Sequence, residues 1–144
     1  FFMKKKQKII FICTGNSCRS QMAEGFMRSL AQKNFEVFSA GISPNKVHPN
    51  AIKVMKEINI DISNHTSKSI DCYADIRVDI AITVCEHAKL NCPVFPKTKK
   101  QLHWDIKDPF GGWKKNNKQL KNFREARDTI NNRILNLIGS LEEP

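Results

Sequence analysis

Long apolar runs are missing from this 144-residue chain; the longest, Ile9 to Cys13, is strand-sized, far from the ~18 residues a membrane helix requires. No membrane role is therefore expected. Aromatic residues are sparse, with two Trp and one Tyr, and they are not interleaved with basic residues as in single-strand nucleic-acid binders. Acidic residues are outnumbered as well: 14 Asp and Glu face 24 Lys and Arg, a formal charge of +10. Such an excess attracts anions of any kind, small oxyanions included. Much of it lies in Lys4 to Lys8, Lys97 to Lys100 and Lys114 to Lys121. These patches read as solvated surface, so no specific nucleic-acid partner is expected.

Internal repeats, low-complexity stretches and a second-domain boundary are also absent, and the length suits one domain with one sizeable core. Lys4-Lys5-Lys6 is followed by only about five apolar residues and no small-residue cleavage site, so no signal peptide is read and a cytoplasmic location is expected. Phe1 and Phe2 precede Met3 and read as a processing or cloning remnant, leaving residues 3–144 as the domain. Five cysteines, at 13, 18, 72, 85 and 92, form an odd set without paired Cys-x-x-Cys motifs. That spacing argues against zinc. In a cytosolic chain it points to reactive thiols rather than structural disulfides.

Lys8 to Ile12 is a continuous apolar, β-branched run ending at Cys13, and it predicts a buried strand. Met22, Ala23, Phe26, Met27 and Leu30 predict a helix opened by Ser20. Phe35 to Ala40 predicts a second strand, stopped at Gly41. Pro49 starts a helix with Ala51, Ile52, Val54, Met55 and Ile58 on its apolar stripe. A short helix is expected after Asn64 and a third strand over Val78–Val84, ending at Cys85. Lys89 to Gln101 reads as a loop, Leu102 to Ile106 as a short fourth strand, and the tail from about Leu120 as a long amphipathic helix. Strands alternating with helices predict one α/β domain, a four-stranded parallel sheet with helices on both faces.

Between the first strand and the first helix lies Cys13-Thr14-Gly15-Asn16-Ser17-Cys18-Arg19-Ser20. Ligands of open parallel sheets bind beyond the carboxyl ends of the strands. A loop running into a helix N-terminus directs N–H groups and a positive dipole end at one point, which suits an oxyanion. Gly15 permits the close turn, and Arg19 supplies a planar fork of donors for two oxygens. The thiolate is the nucleophilic form of cysteine, and helix termini and cations favour it. Ser20, as a cap, has a hydroxyl to donate to the sulfur. The stretch thus predicts Cys13 as nucleophile and Thr14, Gly15, Asn16, Ser17, Cys18, Arg19 and Ser20 as the oxyanion cradle.

Cys13 to Gly25 resembles the signature of thioredoxin-coupled arsenate reductases, which share the fold of low-molecular-weight protein tyrosine phosphatases. The likeness continues through Ser39-Ala40-Gly41, Asp61 to Ser67, Thr83-Val84-Cys85, Asn91-Cys92-Pro93 and His103-Trp104, to Asp108-Pro109. It implies a detoxifying enzyme of arsenic resistance that reduces arsenate to arsenite. Cys13 would form an adduct with arsenate, Cys85 would attack Cys13, and Cys92 would then take Cys85 into a redox-active disulfide reduced by thioredoxin. Asp108 would be the general acid. By the same likeness phosphate and sulfate are substrate analogues, no cofactor is tightly bound, and the chain is expected to be a monomer.

Many such reductases hold potassium near the loop; Asn16, Glu24 and Ser39 occupy three of the four positions, and Lys68 stands where Asp is usual. Phe110 follows Asp108-Pro109 as an aromatic does in the phosphatases, so the alternative activity is hydrolysis of phosphotyrosine or aryl phosphates with Cys13, Arg19 and Asp108. A basic module that grips phosphates without turnover is a third possibility, and it would be indifferent to loss of the Cys13 thiol. Cys72 reads as a structural thiol.

Overall fold

The computed structural model describes residues 5–85, 95, 97–114 and 117–142. In chain order it contains β1 (Gln7–Cys13), α1 (Arg19–Ala31), β2 (Phe35–Gly41), α2 (Pro49–Lys56), a 3-10 helix (Ile70–Tyr73), β3 (Val78–Cys85), β4 (Thr98–Asp105) and α3 (Asn117–Glu142). The strands form one sheet in the order β2-β1-β3-β4, every pair parallel. β1 and β3 are central and buried on both faces, which is why their sequences read as unbroken apolar runs.

Alternation along the strands separates two apolar layers. Ile9, Phe11, Val37, Ile82 and Val84 meet Met22 and Phe26 of α1, Val54 and Met55 of α2, and Phe123, Ile130 and Ile134 of α3. Ile10, Ile12, Ala40 and Ala81 face the other way, toward Ile70, Tyr73, Ile76 and Phe95. The three α-helices therefore share one face, and the 3-10 helix lies over the other. Phe11, Ile82 and Phe123 are fully buried, each worth about 1.5–3 kcal/mol of transfer free energy. Gly25 lets α1 approach closely, since a Cβ there would lie 2.7 Å from Ile62 Cγ2.

Four elements differ from the sequence reading. α2 stops at Lys56, so Ile58, expected on its apolar stripe, lies beyond its end and is exposed. β4 begins at Thr98, four residues before the predicted start, and ends at Asp105. Its first half, Thr98-Lys99-Lys100-Gln101, is a polar, largely exposed edge, and edge lysines carry no hydrophobic alternation to read. α3 gains the polar turn Asn117-Lys118-Gln119 ahead of Leu120. The short helix expected after Asn64 is the 3-10 turn at Ile70–Tyr73, its first N–H groups met by the Ser69 side chain at Asp71 N.

Glu57, just past α2, ties that helix to α3. Its carboxylate accepts from Arg124 at 2.7 and 3.1 Å and from Arg127 at 2.8 Å. The Arg124 hydrogen bond, then Arg127, hold this carboxyl down at about 2. A depressed carboxylate contributes stability above its unfolded value and loses it as pH falls through the folded one. Glu57→Gln is accordingly expected to cost about 1 kcal/mol, or ~3 °C in Tm, at pH 7. The difference should shrink as pH falls from about 4.5 toward 2, as thermal melts across that range would show.

Candidate active site

β1 ends at Cys13 and α1 starts at Arg19, so the intervening loop leaves the carboxyl edge of a central strand. Its carbonyls are all engaged away from the cradle. Those of Cys13, Thr14, Gly15 and Ser17 accept from the backbone N–H groups of Ile42, Ser43, Asn45 and His48 at 2.9–3.3 Å. The Asn16 carbonyl accepts from Gln21 Nε2 and Ser67 Oγ, and that of Cys18 from Met22 N. With carbonyls held outward by the strap 42–48, the N–H groups are left on the inner side, where an anion meets them. Asn16 carries φ +48°, a left-handed conformation that asparagine tolerates better than most residues.

The sulfur sits at the end of a polar chain. Cys13 Sγ accepts from Asn16 N at 3.2 Å and lies 2.8 Å from Ser20 Oγ. Ser20 Oγ accepts from Asn16 Nδ2 at 2.7 Å, leaving its own hydrogen for the sulfur. Asn16 Nδ2 also donates to Ser39 Oγ at 2.9 Å, and Ser39 donates to Glu24 Oε1 at 2.5 Å. Two donors aimed at the sulfur make it an acceptor, the arrangement an anionic nucleophile requires. Ser20 is the second residue of α1, not its cap; Cys18 occupies the cap position without a side-chain capping bond.

Arg19 is buried and fixed: Nη1 donates to Ile106 O at 2.9 Å, and Nη2 lies 3.4 Å from Asp108 Oδ2. Its further N–H groups remain for a bound oxyanion. The carboxyl's other oxygen accepts from Phe110 N at 3.0 Å. Cys13, Thr14, Gly15, Ser17, Cys18 and Arg19 line the floor of a cavity of about 210 Å³. Ser43, Asn45, Asp108, Phe110 and Trp113 complete its walls. Phe110 and Trp113 meet edge to face at 5.2 Å, and Lys46 Nζ lies 4.7 Å over the Trp113 ring.

The remaining thiols divide sharply. Burial, reinforced by Asp108 and Cys13, pushes the Cys18 thiol well up, so it lines the cavity as a neutral group. Cys85 is buried at the end of β3, beside β1, where Ile12 pairs with Thr83. By strand alternation it follows Ala81 onto the sheet face opposite that of Phe11, and it does not line the cavity. Cys92 lies outside the described residues. Cys72 is exposed on the 3-10 helix.

The expected potassium ligands are brought together but do not fit the ion. Asn16 Oδ1 already accepts from Gln21 Nε2 and Lys68 N, both at 2.9 Å. Ser39 is spent between Asn16 and Glu24, and Glu24 Oε2 pairs with Arg28 at 2.8 Å. No cluster of His, Cys, Asp and Glu suited to a metal occurs among the described residues.

Several site residues carried no readable signal. The 42–48 strap, His48 and Trp113 act through contacts distant in sequence, whereas Gln21, Ser67 and Gly41 stood in motifs already noted. Gly41 touches the loop directly: a Cβ there would lie 2.7 Å from Thr14 O and 2.8 Å from Asn16 N. Both obstacles are backbone, so Gly41→Ala is expected to weaken inorganic phosphate binding at least tenfold and to cost about 1–3 kcal/mol of stability, measurable by calorimetry and melting.

A strand-to-helix cradle with a cysteine sulfur beneath it, an arginine inside and a carboxyl at its rim defines a class of enzyme that attacks tetrahedral oxyanions through a thiol. The chain belongs to the low molecular weight phosphotyrosine protein phosphatase family, whose model matches residues 8–144. An arsenate reductase of Staphylococcus xylosus is 47% identical over 125 residues, covering 87% of this chain and 91% of that one. Among solved structures, an arsenate reductase in the phosphate binding state superposes with TM-score 0.79 at 37% identity, covering 93% of this chain and 98% of that one. A thioredoxin-dependent arsenate reductase of Corynebacterium glutamicum gives 0.73 at 26% identity, over 98% of this chain and 64% of the other.

Proposed function

We propose that this chain reduces arsenate to arsenite with Cys13 as nucleophile and thioredoxin, in the cytoplasm, as the source of electrons. The observation that carries the reading is the doubly hydrogen-bonded Cys13 sulfur inside a cradle whose carbonyls all face outward, with a second buried thiol, Cys85, at the end of an adjacent strand. Relatives named arsenate reductase at 47% identity support it, as does a thioredoxin-dependent one of the same fold.

In this mechanism Cys13 attacks arsenic, and an arsenate oxygen leaves as water with a proton from Asp108. Arg19 and the loop N–H groups hold the remaining oxygens. Cys85 then attacks Cys13 Sγ: the S–S bond forms, the S–As bond breaks, and arsenic keeps the electron pair to leave as arsenite. The Cys85 proton passes to the departing oxyanion. Cys92 displaces the Cys13 thiolate from Cys85, and a thioredoxin dithiol reduces the Cys85–Cys92 disulfide. Because Cys85 does not line the cavity that Cys13 lines, the first exchange requires the end of β3 to rearrange. No step uses a bound metal or cofactor.

The test is arsenate-dependent loss of NADPH in the presence of thioredoxin and its reductase, with one NADPH expected per arsenite formed. Absence of that coupling, with the protein folded and its thiols reduced, overturns the proposal. A second reading, hydrolysis of aryl phosphates, is favoured by two features: the Phe110–Trp113 wall and a cavity roomier than a bare oxyanion needs.

A further inference from the structure

We propose that His48 is a positioning residue which, together with Gln119, clamps the 108–113 loop and so seats Asp108 and the aromatic wall over Cys13. The proposal rests on the reading of Asp108 as the general acid. His48 is fully buried and joins three parts of the site. Its backbone N–H donates to Ser17 O of the cradle at 3.0 Å. Its Nδ1 accepts from Asn50 N at 3.0 Å, capping α2, so the ring proton resides on Nε2. That Nε2–H donates to Gly112 O at 2.8 Å, at a glycine with φ +100°.

The neighbouring carbonyl is gripped too: Gln119 of α3 donates to Gly111 O through Nε2 and accepts from Asn50 Nδ2 at 3.4 Å. Two consecutive carbonyls of one loop are thus held by two buried side chains, one at the N-cap of α2 and one in α3. The imidazole also stacks on Trp113 at 4.9 Å and 14°, stands edge-on to Phe110 at 5.7 Å, and rests on Phe123 at 4.7 Å. At its other end the same loop is held by Arg19 through Asp108. The tie at that end of the loop is an ion pair that substrate itself must share.

Only the neutral ring performs this role, because an imidazolium would turn an Nδ1–H against Asn50 N–H. Burial and Lys46 hold His48 below the ordinary imidazole value, partly offset by the Gly112 bond. Lys46 is the charged group acting on the ring; the groups packed round it from the cradle, the loop and α3 (Ser17, Phe110, Gly112, Trp113 and Phe123) carry no charge.

The experiment compares wild type with His48→Asn and Gln119→Met. Asparagine still caps α2 and keeps the backbone bond to Ser17, but it is too short to reach Gly112. Expected are a Tm within about 3 °C of wild type, a kcat for arsenate lowered at least tenfold, and affinity for inorganic phosphate changed no more than about threefold. Wild-type kcat should show an acid limb below the ordinary imidazole range that His48→Asn lacks, and nitrogen NMR should show an Nε2–H neutral ring at pH 7. Unchanged kcat in both variants, or an Nδ1–H or charged ring at neutral pH, overturns the clamp. Should wild type fail to turn over arsenate, the parent reading falls on its own, and the clamp is judged by the same comparison on p-nitrophenyl phosphate together with the NMR result.

Discussion

Cys13→Ser is expected to lower arsenate turnover by at least about 10⁴-fold, equivalent to ~5.5 kcal/mol of lost transition-state stabilisation. The hydroxyl that replaces the thiol is a far weaker nucleophile, and Ser20 and Asn16 N, which serve the sulfur, do not remove its proton. Binding should respond differently from chemistry. Arg19, the outward-turned carbonyls and the α1 N-terminus are untouched by the substitution, so inorganic phosphate should bind within about threefold of wild type. Calorimetry beside the coupled assay separates the two. Retained turnover would mean that the reaction does not pass through this sulfur, and phosphate binding without turnover in wild type would leave the chain an oxyanion-binding module.

Cys85→Ser should have an equally large effect on arsenate and almost none on aryl phosphates. An aryl phosphatase releases its cysteinyl-phosphate to water and needs one thiol. Reduction by two electrons needs a second, because the pair that arsenic takes must be made good by a new S–S bond. Without Cys85 the adduct on Cys13 has no partner sulfur and reverts, so arsenite formation is expected to fall by at least about 10³-fold. Hydrolysis of p-nitrophenyl phosphate, which depends on Cys13, Arg19 and Asp108, should stay within about twofold. Cys85 is buried in β3, and serine there costs some stability, so Tm is measured alongside. A parallel loss of both activities would mean that Cys85 supports the fold only; loss of arsenate turnover alone carries the relay.

The cradle was legible because its chemistry is contiguous. Cysteine, glycine turn, arginine and serine occupy eight consecutive residues, and a strand and a helix on either side are visible from apolar spacing alone. β4 was harder to read. An edge strand meets solvent along Thr98 to Gln101, and the lysines that protect such an edge erase the alternation by which strands are recognised. The potassium ligands show a different limit. Residue identities at Asn16, Glu24 and Ser39 suit a cation, yet Gln21, Lys68 N and Arg28 have already claimed their oxygens. Which lone pair remains open is a property of the packed site, not of its composition.

By itself the sequence determined the α/β order of elements and the place of the cradle around the Cys13 sulfur, since hydrophobic period and a strand-to-helix turn act between neighbours along the chain. Tertiary structure alone decided that the cradle's carbonyls face outward on the 42–48 strap and that His48 and Gln119 hold the loop bearing Asp108. It decided too that Cys85, buried at the end of β3, starts outside the lining of the cavity that Cys13 lines. The physical reason is range: apart from Gln119 to Gly111, these hydrogen bonds join residues about 30 to 64 positions apart, and such pairings leave no periodic trace until the core has folded around them.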